Sequence, residues 1–552
     1  MSTTLSGIAG HDEIWGGARP GTLAGLLAAG RTGRADTEAV VVDDDRRSYA
    51  ELSAAAVGIT GALVGLDVRA GDRVGLLSAN TVEFVEALFG IALAGAVAVP
   101  LSNRMSADEL RYAAELTGMR VLLVAGGGWR HDDDAARLVG EAFGAGDAGA
   151  PRDIVWLDRV GSAGHPLMAD LRADVAPGVP DEVAVRAAAV SPDDIAVMVF
   201  TSGTESRPKA VMHSGRAIGG TALARWQQGL HHEPGDRVWI PTPLCHTAAL
   251  VFMLGALGSG LTFVTSRWFD GPTAARLVER ERCVTLWPQF PAVLQGLEDA
   301  VAGSDIDFGH VRQVAVVGTR AAFDQGERLF PNAAILSGYG STELNAFISC
   351  PDLSGDNESR IGTSGRPFDG IEVAVVDPVT GTTLPDDVEG EIVVRGSCLF
   401  LGYFRNPEAT AAAIDADGWF HTGDMGVHHA TGTFAWTGRR KELLKVGGIN
   451  LAPAEIEAML LTVPGTRQAA VVGLPDAKLD EVPVAFVEKY PDTELTESEL
   501  LAACRTAMAS YKVPRHVWWV EPGDWPMSLT KVDKKVLAVR ALELAARTGV
   551  SS

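Results

Sequence analysis

Between Ala39 and Val317 the chain alternates short apolar runs with segments of helical periodicity. Ala39–Asp43 (AVVVD) reads as a strand. Ser48-Tyr-Ala-Glu51, which follows it, has the spacing of a capping box, where a hydroxyl and a carboxylate each satisfy a free backbone N–H at a helix start. Val74–Leu77 reads as the next strand, and Asn80-Thr-Val-Glu83 repeats the capping signal before an apolar helix that runs to Leu93. Val97–Pro100 returns to strand, and the rhythm recurs at Val121–Val124, Ile195–Phe200, Val238–Ile240, Leu261–Val264 and Val314–Val317. Helices between strands return the chain so that neighbouring strands run the same way. The pattern therefore predicts an α/β protein whose large N-terminal domain has largely parallel sheets. His131–Pro151, rich in Asp, Ala and Gly, is expected to be a surface excursion.

After Gly370 the texture changes. Val373–Val376, Glu391–Arg395 and Thr433–Trp436 read as strands separated by turns, which predicts a small β-rich subdomain. A further break is expected near Gly438-Arg439, dividing the chain into residues 1–438 and a mobile α+β C-terminal domain, 439–552. The latter is predicted to hold a helix at Pro453–Leu461, strands at Gln468–Val472 and Pro483–Glu488, a helix at Glu497–Met508, a strand at Val517–Val520 and a last helix at Lys534–Arg547.

Charge narrows the partners. With 47 Lys and Arg against 70 Asp and Glu, the net charge is 47 − 70 = −23. Nucleic acid and anionic membranes would repel such a chain, although a local pocket of N–H groups can still hold phosphate. The five cysteines are scattered and include no CxxC pair, which disfavours a disulfide framework or a zinc knuckle and fits a reducing cytoplasm. The opening MSTTLSGIAGHDEIW has neither the basic start nor the apolar core of a secretory signal. Val85–Leu101 and Thr247–Ser266 are apolar enough to mimic membrane spans, but each reads better as a buried helix running into a buried strand.

Five segments carry candidate chemistry. Thr201-Ser-Gly-Thr-Glu-Ser-Arg-Pro-Lys209 follows an apolar strand; its hydroxyls, Gly203 and Lys209 suit a polyphosphate, and it also reads as a solvated Ser/Thr turn. In Ser337-Gly-Tyr-Gly-Ser-Thr-Glu343, Tyr339 could stack on a base, and Thr342 and Glu343 could hold phosphate and Mg²⁺; the bland alternative is a glycine turn. Gly418-Trp-Phe-His-Thr-Gly-Asp424 offers a carboxylate suited to both hydroxyls of a ribose, or an Asx turn. The fourth segment is Thr437–Asn450 (TGRRKELLKVGGIN), followed by Pro453 and Glu455-Ile-Glu457, and the fifth is Pro526-Met-Ser-Leu-Thr-Lys-Val-Asp-Lys534.

These five segments, in this order, resemble the acyl-adenylate-forming superfamily, and most closely its stand-alone acyl-CoA synthetases. The resemblance implies two half-reactions: a carboxylate attacks the α-phosphate of Mg-ATP to give acyl-AMP, and the thiol of CoA then displaces AMP. It implies that Thr201, Ser202, Gly203, Thr204 and Lys209 lie on the β- and γ-phosphates. Tyr339 and Gly340 would lie at the adenine, with Thr319, Arg320 and Ala321 lining its other side or the acyl pocket, and Gly338 and Ser341 would also belong to the nucleotide-binding residues. Thr342 would contact the α-phosphate, Glu343 the magnesium, and Asp424 and Arg439 the ribose. Lys531 would neutralise charge on the pentavalent transition state. His246, in Pro243-Leu-Cys-His246, matches a position between acyl pocket and carboxylate, and reads also as a core histidine. Glu442 falls at the family's hinge, or is a solvated charge. Gly447 and Gly448 would form the passage for the pantetheine arm, and Lys445 would lie beside AMP or CoA phosphate.

The chain departs from the family pattern at Glu205, Ser206, Ala210 and Gly215, and in a final loop one residue shorter before Lys531, with Lys534 as the alternative. An amine or a carrier-protein thiol as acceptor, and a non-catalytic nucleotide- or acyl-binding protein, are the competing readings; a homodimer is compatible with any of them. Gly255, Gly258 and Gly260 suggest room for an apolar aliphatic, alicyclic or aromatic acid near His246, Phe252, Gly318–Ala321 and Gly338.

Overall fold

A computed structural model describes residues 11–129, 131, 134–144, 149–158, 166–173, 179–201, 208–289, 291–317, 320–446, 449–476, 478–491, 493–528 and 531–548. The predicted α/β alternation builds two seven-stranded sheets. One runs Ala334–Leu336, Gln313–Val316, Thr285–Gln289, Arg237–Trp239, Thr262–Thr265, Glu38–Val42, Asp45–Ser48, and is parallel except for its last pair. The other runs Gly402–Tyr403, Lys209–Ser214, Ile195–Thr201, Val97–Ser102, Arg73–Ser78, Val121–Val124, Asp153–Trp156. Its Ile195–Thr201 and Lys209–Ser214 strands are antiparallel, so Thr201 and Lys209, the two described ends of the phosphate-loop candidate, are paired with each other.

Helices Leu23–Arg31, Tyr49–Gly65, Val82–Leu93 and Thr247–Gly258 share one core with side chains of both sheets. That position explains why the last two are apolar almost all round, a sign of complete burial. Both suspected spans resolve into helix and strand, and no described helix is long and apolar enough to cross a membrane. Ser48 and Glu51 form the predicted capping box. At the second signal the cap is Thr81, whose hydroxyl accepts from Phe84 N–H, rather than Asn80. The Asn80 amide instead donates toward Thr242 O (3.3 Å), Thr265 Oγ1 (3.1 Å) and Ser266 O (3.2 Å), and its oxygen accepts from Leu244 N–H at 2.8 Å. One side chain at the end of the second sheet thereby fixes strand ends of the first, just ahead of His246.

The region His131–Pro151 is not only surface. Helix Asp134–Ala142 buries Ala135, Leu138, Val139 and Ala142, a helical stripe obscured in the sequence by flanking Asp and Gly. The β-rich subdomain is a four-stranded antiparallel sheet, Ile371–Val376, Glu389–Gly396, Phe420–His428, Phe434–Arg439. Its third strand, which carries Asp424, was not apparent from the sequence because His, Thr and two glycines interrupt the alternation. A 3₁₀ turn, Arg440–Glu442, leads into the last sheet. There Thr466–Asp476 and Asp480–Lys489 pair over ten positions, with helices Pro453–Leu461 and Glu497–Ala507 in one core and Lys534–Thr548 in another.

Asn80→Ala would leave the Leu244 N–H and two carbonyls unpaired inside the protein. It is expected to destabilise the protein by about 2–3 kcal/mol, read as a lower denaturant midpoint than wild type at equal slope.

Candidate active site

The glycine segment owes its shape to close backbone approach. A Cβ on Gly340 would sit 1.2 Å from Ala346 O, so no other residue fits. The return of the chain is closed by Ala346 N–H to Ser341 O (2.8 Å) and Ile348 N–H to Tyr339 O (2.9 Å), with Asn345 and Ala346 at φ 55° and 70°. Asn345 Nδ2 anchors the loop to Cys398 O at 2.8 Å.

Tyr339 leads from this loop into the β-rich sheet. Its hydroxyl donates to Asp424 Oδ2 at 2.7 Å, and its ring meets Phe434 edge-on, centroids 5.5 Å apart. Asp424 is 3% exposed, and its Oδ1 lies 3.1 Å from Arg439 Nε. Burial, and then the Asp424 charge, push the Tyr339 phenol well above its usual pKa, so it remains a donor. Asp424 and Arg439 face each other because Phe420–His428 and Phe434–Arg439 pair in that register. Each carboxylate oxygen carries two lone pairs, so Asp424 keeps capacity for ribose hydroxyls beside these partners. Buried Glu391, which sequence reasoning missed, shapes the preceding turn: Oε1 accepts from Gly423 N–H at 3.0 Å, and Oε2 lies 3.3 Å from His421 Nδ1.

At the other end of the same loop stands Glu343. Its Oε1 accepts from the Tyr403 hydroxyl at 3.0 Å, and the Lys209 ammonium lies 4.6 Å from the Tyr403 ring centroid. Burial, then the Glu343 charge, raise the Tyr403 pKa, which keeps its proton available to the carboxylate. A half-buried carboxylate held by one phenol is a fitting hard-oxygen ligand for Mg²⁺, which takes one or two carboxylates and fills its shell with phosphate and water. Tyr403 carries no motif spacing that would have singled it out. Thr201 pairs with Lys209 across the antiparallel strands, whereas Ser202, Gly203 and Thr204 lie outside the described residues, as do Glu205 and Ser206.

His246 occupies the N-cap position of helix Thr247–Gly258 without a capping bond from its side chain. Burial, with the nearby Arg104 charge, lowers its pKa to about 4, so it is a neutral imidazole at pH 7. The Phe252 and Trp287 rings lie 3.5 Å apart between centroids, with Phe347 at 5.6 and 4.9 Å from them. Phe347 reaches the glycine segment, its ring 2.2 Å from where a Gly338 Cβ would be. The expected room at Gly255, Gly258 and Gly260 is already filled. A Gly255 Cβ would meet the Trp226 ring at 2.3 Å, Gly258 packs on Leu223 and Leu26, and Gly260 makes a turn at φ +75° beside Arg34. Those glycines serve helix packing. Arg320 is exposed and pairs with Asp324 at 2.7 Å; Thr319 and the Ala321 side chain lie outside the description.

In the C-terminal segment, Glu442 is not simply solvated: its Oε2 lies 3.2 Å from Lys534 Nζ, which also lies 2.9 Å from Glu457 Oε1. Burial alone would lower the Lys534 pKa, but the charges of Glu457 and Glu442 outweigh it and the net shift is upward. Lys534 is thus engaged within this segment. Lys445 is exposed, and its N–H donates to Glu481 Oε2 at 2.8 Å. The Lys531 backbone pairs with Ser528 in a two-stranded hairpin; its side chain, Gly447 and Gly448 lie outside the described residues.

Residues 28–404 match the AMP-binding enzyme family, and residues 455–528 match the AMP-binding enzyme C-terminal domain. The chain is 34% identical over 499 residues to the 3-(7a-methyl-1,5-dioxo-octahydro-1H-inden-4-yl)propanoyl:CoA ligase of Mycobacterium tuberculosis, covering 88% of this chain and 92% of that protein. The solved Mycobacterium tuberculosis fatty acyl CoA synthetase superposes with a TM-score of 0.70 at 28% identity, covering 94% and 98% of the two chains. The amide bond synthetase McbA of Marinactinospora thermotolerans gives 0.80 at 25% identity, covering 94% and 99%.

Tyr339→Phe preserves the ring packing but leaves Asp424 Oδ2 without its phenol donor. It is expected to raise the KM for ATP about tenfold with a smaller change in kcat, measured as pyrophosphate release at saturating acid.

Proposed function

The chain belongs to the AMP-binding enzyme family, and from that premise we propose that it joins an apolar alicyclic, aromatic or aliphatic carboxylic acid to CoA. Its class is an ATP-dependent acyl-CoA ligase acting through acyl-AMP, with ATP and CoA as substrates. The acid class is the inference, and the observation that carries it is the ring cluster Phe252, Trp287 and Phe347 packed against the glycine segment. Rings there offer dispersion and apolar burial to a bulky hydrocarbon frame.

In the first step a carboxylate oxygen attacks the α-phosphorus and the bond to pyrophosphate breaks. In the second the CoA sulfur attacks the acyl carbon, and AMP leaves with the oxygen that had joined them. The protein's part is positioning and charge compensation. On this reading Thr201, Ser202, Gly203, Thr204 and Lys209 hold the β- and γ-phosphates, with Lys209 presented over Tyr403. Glu343, oriented by the Tyr403 hydroxyl, would hold Mg²⁺, whose charge neutralises the phosphates. Gly338, Tyr339, Gly340, Ser341, Thr342, Thr319, Arg320 and Ala321 surround the adenosine and α-phosphate, and Asp424 with Arg439 takes the ribose. His246, neutral at pH 7, adds no charge to the carboxylate end of the acyl pocket.

We place the boundary between the two domains at residues 438 and 439, with the hinge at Glu442. The support is the 3₁₀ turn between two separate sheets, which gives a swing of the C-terminal domain a point to turn about. Lys531 acts in the first half-reaction, and Gly447, Gly448 and Lys445 serve CoA in the second. A cytoplasmic location belongs to the same reading, since ATP and CoA are both required.

The function is tested by incubating a panel of alicyclic, aromatic and fatty acids with ATP and Mg²⁺, measuring pyrophosphate, then adding CoA or an amine and weighing the product. Pyrophosphate with a CoA thioester is expected; an amide formed in preference to the thioester would overturn CoA as the natural acceptor. Within it, Lys531→Ala is expected to lower pyrophosphate release at least about 100-fold while still converting supplied acyl-AMP to thioester. Unchanged pyrophosphate release would transfer the role to Lys534.

A further inference from the structure

Arg225 opens a single π-helical turn, Arg225–Gly229, directly after helix Gly215–Ala224. Its side chain is buried, the residue being 1% exposed. Nη2 donates to Phe347 O at 2.5 Å, while Nε and Nη1 have no hydrogen-bond partner and no ion pair is made to it among the described residues. A guanidinium has five N–H donors in a planar fork, and two of its three nitrogens here point at nothing that accepts.

Other arginines of low exposure among the described residues have a carboxylate or several oxygen acceptors, although Arg172 Nε and Arg360 Nε also lack a partner. Arg47 and Arg172 share Glu86, Arg237 pairs with Glu281 and Glu38, and Arg360 reaches the Leu353 and Gly355 carbonyls and Asn357 Oδ1. At Arg225 compensation comes from rings: its guanidinium carbon lies 4.2 Å from the Phe252 centroid, 5.2 Å from Phe347 and 5.7 Å from Trp287. Ring faces attract the cation but accept no conventional hydrogen bond from it. Burial accordingly pulls its pKa down to about 9, which still leaves it charged at pH 7. A methionine or leucine would fill this space without the desolvation cost, so a packing role does not account for an arginine.

The three rings are those of the proposed acyl pocket. Phe347 links Arg225 to the nucleotide side, its carbonyl on the guanidinium and its ring against Gly338. Phe252 lies on the helix whose N-cap position His246 occupies. An acid whose carboxyl lies near His246 and the glycine segment would direct its far end toward Arg225, with a turn of Phe252 or Phe347 uncovering the fork.

We propose that Arg225 binds an oxygen acceptor, a ring carbonyl or a second carboxylate, at the end of the acid remote from the reacting carboxyl. This rests on the acyl-pocket reading above and makes it specific: the acid has an apolar frame with one polar far end. A relative's name specifies a propanoic acid on a dioxo-octahydroindene frame, a molecule with that distribution of oxygen.

The test is a matched set: 3-cyclohexylpropanoate, 3-(4-oxocyclohexyl)propanoate and 3-(4-carboxycyclohexyl)propanoate, with kcat/KM read from pyrophosphate release. Wild type is expected to prefer one oxygenated acid over the unsubstituted one by about 10- to 100-fold, and which one it prefers distinguishes carbonyl from carboxylate. Arg225→Met is expected to collapse that ratio toward one. The ratio, rather than the rate, is the readout, because loss of packing lowers all three rates together. Should Arg225→Met not fold, Arg225→Lys decides, since an ammonium lacks the fork: a ratio reduced about tenfold supports the assignment and an unchanged ratio overturns it. Equal use of the three acids by wild type, or preference for the unsubstituted one, also overturns it. Pyrophosphate release from none of the three, with release from aromatic or fatty acids, overturns this inference alone, as does release from the three without preference; release from no acid of the wider panel sinks the acid class proposed above and this inference with it.

Discussion

A buried carboxylate, Asp424, ties the glycine loop to the β-rich sheet, with which Tyr339 also shares a hydrophobic core. The Tyr339 hydroxyl comes to it from the loop beyond the parallel sheet, and Arg439 from the adjoining strand. A carboxylate this buried is stable only while such donors compensate it. The geometry of the glycine loop, of the β-rich sheet and of the exit toward the C-terminal segment is therefore mutually dependent. Asp424 anchors the sheet end of that loop while the Glu343–Tyr403–Lys209 chain anchors the other, so the loop is held at both ends by charge-assisted contacts.

This arrangement suits chemistry whose difficulty is electrostatic. Adenylation brings an anionic carboxylate to an anionic triphosphate, and the groups that meet it must be positioned before the substrates arrive. Glycine contributes by absence: at Gly340 the loop returns so closely that a Cβ would overlap the Ala346 carbonyl. The ring cluster Phe252, Trp287 and Phe347 follows a different rule: the buried Arg225 guanidinium beside it is compensated by ring faces and the Phe347 carbonyl.

Much of this was legible in the sequence because it depended on periodicity or on local motif spacing. The strand–helix rhythm predicted the parallel sheets, and Ser48 with Glu51 marked its helix start. Asn80 was legible as polar but not in its role, since its partners Thr242, Leu244, Thr265 and Ser266 lie over 160 positions away. Tyr403, Glu391 and Arg225 were missed for the same reason: each acts through contacts between distant segments, and none belongs to a spaced motif. The glycines at 255, 258 and 260 misled because a missing side chain reads alike whether it leaves a cavity or admits a neighbour, here Trp226. The site's grouping of Tyr339, Asp424 and Arg439 came from family resemblance, and their mutual contacts supply the physical reason for it.

The most direct measurement follows one oxygen atom. An accepted acid labelled with ¹⁸O in both carboxyl positions is turned over with ATP, Mg²⁺ and CoA, and the nucleotide product is weighed. Attack by the carboxylate on the α-phosphorus, followed by thiolysis at the acyl carbon, predicts one labelled oxygen in AMP and one retained in the thioester carbonyl. Label in inorganic phosphate with ADP as the nucleotide product, or unlabelled AMP, would contradict it.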